Sequence, residues 1–208
     1  MEVVIDTEHA NLEGTLTLPE NAGGVVLFAH GSGSSRFSPR NNYVAEILND
    51  AGFATLLLDL LTRQEDLDHE MRFDIELLTG RLLEATSWLQ SENRTRQMKI
   101  GYFGASTGAA SALKAAAKLG KSISAVVSRG GRPDLASPEE LAHVVSPTLL
   151  IVGSRDDTVV ELNREAFLNL SCEKEMKIIP GASHLFEEPG KLEQVATAAK
   201  DWFRRYLD

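Results

Sequence analysis

Short apolar runs recur along this chain, and nearly every one stops at a glycine or polar residue before a segment of helical period begins. Gly24–His30 (GVVLFAH), Phe53–Leu58, Lys99–Phe103, Ile123–Ser128, Thr148–Val152 and Glu175–Ile179 are such runs. A continuous apolar run bounded by turn residues suits a strand buried on both faces. Between them, Pro39–Ala51, Phe73–Leu89, Ser106–Leu119, Val159–Leu170 and Leu192–Leu207 place apolar residues at helical spacing. Strand, helix and strand in succession require crossover connections. The pattern therefore predicts an α/β fold with a mostly parallel central sheet and helices on both faces. Val3–Asp6 and Thr15–Leu18 alternate instead, and with Asn11-Leu12-Glu13-Gly14 read as the turn they predict an antiparallel N-terminal hairpin. Asp59–Met71 reads as a polar loop. Arg129–Ser146, with Pro133 and Pro138, reads as irregular with at most one helical turn. The chain has 208 residues and shows no repeat or linker, so a single domain over 1–208 is expected.

The charge balance narrows the partners. A net charge of −9 without a basic run disfavours nucleic acid and anionic membrane, both of which need a cationic surface. The first residues, MEVVIDTEHANLEG, contain no cationic leader and no apolar core segment, and no stretch reaches the length of a membrane span. Cys172 is the only cysteine, which rules out an intramolecular disulfide and suits a reducing compartment. A cytoplasmic protein is expected. Cys172, Trp88, Trp202 and Phe203 read as packing residues.

Ligands of open α/β sheets bind where strands end and loops begin. Here those ends carry the chemistry. Gly104-Ala105-Ser106-Thr107-Gly108 satisfies G-x-S-x-G between a strand and a helix. Small residues on either side let the chain turn sharply, so that the serine hydroxyl projects at the N-terminus of the helix. A hydroxyl needs a base, and the base needs an orienting acid. The candidates follow in order at later strand ends: Asp156 in VGSRDD and His184 in GASHLF. Asp157 competes with Asp156 for the orienting role, and motif position favours Asp156. His9, His69 and His143 lack such placement.

His30-Gly31-Ser32-Gly33-Ser34-Ser35 lacks the Gly-Lys-Ser/Thr of a P-loop, and Arg36 stands where a dinucleotide fingerprint needs its third glycine. It reads better as an oxyanion loop. The expected donors are the backbone amides of Ser32 and of Thr107, the residue after the serine. Arg36, Arg63 and Arg129 each follow a strand end and are candidate contacts for an acidic ester or lactone, or are simply paired with the plentiful acids.

The HGSGSS, GASTG, VGSRDD and GASHLF motifs, in that order and spread over nearly the whole chain, resemble the α/β-hydrolase superfamily, and within it the small dienelactone-hydrolase-like proteins. The resemblance implies an α/β-hydrolase fold. It maps the acid to Asp156, three residues after Gly153, and the base to His184. Dienelactone hydrolases proper carry a cysteine nucleophile, whereas Ser106 stands here, which favours a general carboxylester hydrolase. The short Arg129–Ser146 segment replaces a large lid, so an open site is expected.

The function expected is therefore hydrolysis of a small-molecule ester or lactone by Ser106, His184 and Asp156, with no metal or organic cofactor required. Two alternatives share the same residues: a ligand-binding module that has lost the reaction, and a peptidase or acyltransferase with the same triad. Nothing in the sequence fixes the oligomeric state.

Overall fold

The computed structural model describes residues 1–8 and 10–208. Among these residues eight strands form one sheet: β1 (Glu2–Asp6), β2 (Asn11–Thr17), β3 (Gly24–Ala29), β4 (Ala54–Leu58), β5 (Lys99–Ala105), β6 (Ile123–Arg129), β7 (Thr148–Gly153) and β8 (Lys174–Ile179). Their order across the sheet is β1-β2-β4-β3-β5-β6-β7-β8. β2 runs antiparallel to both neighbours, and every pairing from β4 to β8 is parallel. This is the α/β-hydrolase architecture expected from the sequence.

Among the described residues six helices complete it: α1 (Pro39–Asp50), α2 (Ile75–Ser91), α3 (Thr107–Leu119), α4 (Pro138–Ala142), α5 (Asp157–Asn169) and α6 (Lys191–Leu207). The strand period of two sends alternate side chains to opposite faces. In β3, Val25 and Leu27 join the core beneath α2 and α3, while Val26 and Phe28 join the core beneath α1 and α6. Both faces are covered, which is why the central strands read as unbroken apolar runs. No helix among the described residues is long and apolar enough to cross a membrane.

The hairpin differs from expectation in one respect. Asn11–Gly14 is not the turn but the first half of β2, and Leu12, Gly14 and Leu16 face inward. The reversal lies earlier, where the Thr7 amide donates to the Ala10 carbonyl over 2.9 Å. The loop after β4 contains two short 3₁₀ turns, Glu65–Leu67 and Met71–Phe73. The segment after β6 carries another, Pro133–Leu135, and then α4, whose Ser137 and Glu140 form a capping box.

β3 is the switch point. From it the chain crosses through α1 to β4 on one side, then through α2 to β5 on the other. The crevice between the carboxyl ends of β3 and β5 is where such sheets take ligands. Both the glycine loop and Ser106 leave from that crevice.

Candidate active site

Ser106 occupies a single-residue corner between β5 and α3, with φ 51° and ψ −120°. Such a conformation costs a non-glycine residue about 1–3 kcal/mol, and the surroundings must enforce it. They do so from three sides. The Ser106 amide donates to the Arg129 carbonyl (3.2 Å), and its carbonyl accepts from the amides of Ala109 and Arg132 (3.1 Å each). The two motif glycines make the corner sterically possible. A Cβ at Gly104 would lie 2.5 Å from Ala109 Cα, and one at Gly108 would lie 2.2 Å from the Ala29 carbonyl oxygen. With its backbone fixed, Ser106 is half-buried and its hydroxyl has no hydrogen-bond partner among the described residues. Positive charge at the start of α3 favours an anion there.

Asp156 and His184 come from the two loops after β7 and β8, which are laced together. The Ser154 amide donates to the Ile179 carbonyl (3.0 Å) and the Arg155 amide to the Ala182 carbonyl (2.9 Å). The Ser154 hydroxyl accepts from the Gly181 amide at 2.7 Å. Gly153 lets them close up, because a Cβ there would lie 2.4 Å from the Ala182 oxygen. The result is a 2.6 Å contact between His184 Nδ1 and Asp156 Oδ2. Asp156 is the N-cap residue of α5, yet its side chain makes no capping bond and turns to the imidazole instead. Asp157 is the exposed first residue of that helix. The histidine ring lies over Gly130, directly after the Arg129 carbonyl that holds Ser106.

The glycine loop is anchored at both ends to consecutive residues. His30 Nε2 accepts from the Leu60 amide (3.0 Å), which leaves its Nδ1–H to donate to the Gly31 carbonyl (2.9 Å). Burial pushes the pKa of His30 below its ordinary value and keeps the ring neutral. At the far end, the Arg36 amide donates to Asp59 Oδ1 at 2.6 Å, and its guanidinium binds the same carboxylate. Between these anchors, Gly31 packs against Ser106, a Cβ there lying 3.0 Å from the serine Cβ. The Ser32 amide donates to the Thr107 hydroxyl at 2.9 Å, an engagement the sequence did not suggest.

The three arginines have separate fates. Arg36 is committed to Asp59, to Glu13 at 2.6 Å and to Glu2 at 3.5 Å, with only 8% of its side chain exposed. Asp59 and Glu13 take its two terminal nitrogens, which leaves no free fork for a substrate carboxylate. Arg129 is buried, donates to Asn41 Oδ1 at 3.0 Å and has its pKa lowered to about 10, first by burial and then by Arg40. Arg63 is exposed beside the glycine loop, lining a cavity of about 80 Å³ with Ser34, Ser35 and Asp59. No described residue bonds its guanidinium.

The other histidines stand apart from this cluster. His69 stacks on Phe73 at 4.9 Å, and His143 bonds the Glu139 carbonyl at the end of α4. His9 lies outside the described residues. Trp202 and Phe203 are core residues of α6, Trp88 packs on the opposite core, and burial pushes the Cys172 thiol pKa up.

The profile of the dienelactone hydrolase family matches residues 12–208. The crystal structure of a dienelactone hydrolase from Anabaena variabilis is 54% identical, covers 100% of this chain and 98% of its own, and superposes with a TM-score of 0.97. Est1E of Butyrivibrio proteoclasticus, at 18% identity, shares the fold with a TM-score of 0.84 over 98% of both chains. A Mycobacterium tuberculosis protein (strain H37Rv) that bears the provisional name phosphoribosyl transferase is 55% identical over 206 residues, 99% of this chain but 46% of that protein. The chain thus spans about half the length of the curated relatives it matches.

Proposed function

This chain belongs to the dienelactone hydrolase family, and from that premise we propose that it is a serine hydrolase of carboxylic ester-like bonds. The observation that carries the proposal is the left-handed corner at Ser106, where a strained backbone presents an unbonded hydroxyl at a helix N-terminus. Ser106 attacks the carbonyl carbon and His184 takes its proton. Asp156 fixes the histidine tautomer and stabilises the imidazolium. The oxyanion is held at the start of α3 by the Thr107 amide, with the glycine loop beside it. His184 then returns its proton to the leaving alcohol and activates a water that releases the acyl group.

The substrate reading follows the rim. Phe37, Leu67, Met71, Phe73 and Leu185 are exposed on the loops after β3, β4 and β8, at the sheet edge where Ser106 stands. That supports an ester or lactone with an apolar group. Arg63 is the one of the three candidate arginines free to meet an acidic group. The name of the Mycobacterium relative belongs to a longer protein. A hydroxyl, an imidazole and an orienting carboxylate suit acyl transfer.

The test is Ser106→Ala. It is expected to lower kcat on p-nitrophenyl acetate by roughly four to six orders of magnitude, and a fluorophosphonate probe is expected to label the wild-type serine. Retained turnover in the variant overturns the assignment. A panel of esters, thioesters, lactones and amides then separates hydrolase from peptidase or acyltransferase, and an inert wild type leaves a binding module.

A further inference from the structure

The Thr107 side chain has no part in the chemistry described so far, which uses only its amide. It is 2% exposed at the first position of α3. Its Oγ1 accepts the Ser32 amide hydrogen at 2.9 Å across 75 residues of sequence. A hydroxyl that accepts in one bond still has its own hydrogen to give. Among the described residues nothing accepts that hydrogen, although a buried donor left unpaired is costly. The hydroxyl is bonded to the Ser32 amide and belongs to the residue whose own amide is the expected oxyanion donor at the start of α3. Gly31, immediately before Ser32, touches Ser106.

Building on the serine-hydrolase function proposed above, we propose that the Thr107 hydroxyl is a donor of the oxyanion site. The Ser32 amide acts through it rather than on the substrate directly. In the tetrahedral state Thr107 gives two hydrogens to the substrate oxygen, one from its amide and one from its hydroxyl. The Ser32 amide, bonded to Oγ1, polarises that hydroxyl and makes it a better donor. When the site is empty the same bond keeps the Ser32 amide satisfied and the glycine loop in register. Ser32 therefore changes role from direct contact to support.

Thr107→Val keeps the shape and removes the hydroxyl. Loss of one oxyanion donor is expected to lower kcat by about 10²-fold with KM little changed. Thr107→Ser, which keeps the hydroxyl, recovers most of that loss. Binding of a boronic acid that mimics the tetrahedral state weakens in the valine variant in step with kcat, while binding of an unreactive ester analogue does not. If the hydroxyl were only a plug on the Ser32 amide, the valine variant would turn over as fast as wild type or faster. Either result overturns the proposal, and so does a serine variant as slow as the valine one. Wild-type protein that reacts with neither ester nor fluorophosphonate overturns the hydrolase function as well. Reactive wild type with an equally reactive valine variant overturns the Thr107 assignment alone.

Discussion

His184 Nδ1 and Asp156 Oδ2 stand 2.6 Å apart, although their residues are 28 positions apart on separate loops. The contact engages the ring at its Nδ1, and in the proposed mechanism Nε2 is the base. Asp156→Asn keeps the shape but reverses the hydrogen bond, so that the ring presents the wrong tautomer to the serine. The expected outcome is a kcat loss on the order of 10⁴-fold, by analogy with the same change in a serine protease. Steady-state kinetics check it. Asp157→Asn, at the exposed helix start, is expected to change little.

The strain at Ser106 has a thermodynamic signature. Glycine adopts positive φ without penalty, so Ser106→Gly is expected to abolish turnover yet raise unfolding free energy by about 1–3 kcal/mol. Urea denaturation of the glycine and alanine variants, compared side by side, measures it. An alanine variant as stable as the glycine one would remove strain from the account.

Two helical glycines should respond with opposite signs. Gly80 lies inside α2 with open space around its missing Cβ. Gly80→Ala is expected to stabilise by about 0.5–1 kcal/mol through helix propensity. Gly108→Ala places a methyl 2.2 Å from the Ala29 oxygen and 2.5 Å from the His30 oxygen. It is expected to destabilise by more than about 2 kcal/mol and to lose activity as α3 lifts from β3. Thermal melts of the pair decide it.

His30 gives a pH dependence of stability. Its folded pKa lies below the ordinary 6.5, chiefly through burial, so the unfolded chain binds the proton more readily. The stabilisation is present above pH 6.5 and is lost as pH falls from there toward the folded pKa, with a slope up to about 1.4 kcal/mol per pH unit. His30→Gln, whatever its overall stability, is expected to flatten the curve between pH 7 and 5. An unchanged slope would assign the effect elsewhere.

The parallel strands were legible because burial on both faces leaves no polar alternation to confuse them, as in Val25 to Ala29. The Ser106 corner was legible because GASTG joins a strand to a helix, and the pairing of Asp156 with His184 because each closely trails a strand end. Asn11–Gly14 misled because asparagine and glycine favour turns, while the inward alternation of Leu12 and Leu16 was the better signal. What stayed hidden was pairing over distance. Nothing near Arg36 in sequence announces Glu2, Glu13 and Asp59 as its partners. Nor does GASTG announce that its threonine bonds a glycine loop far upstream. His30 carried a weaker hint, standing at the junction of strand and loop, but its bond to Leu60 requires β4 to lie alongside β3.

The loops after β7 and β8 are bound to each other through the Ser154 and Arg155 amides and the Ser154 hydroxyl. The 2.6 Å contact between His184 and Asp156 therefore depends on β8 being in the sheet. Under the proposed mechanism, turnover reports a complete sheet: a form of this chain stopping short of β8 lacks His184 and is expected to be catalytically silent even with the Ser106 corner made.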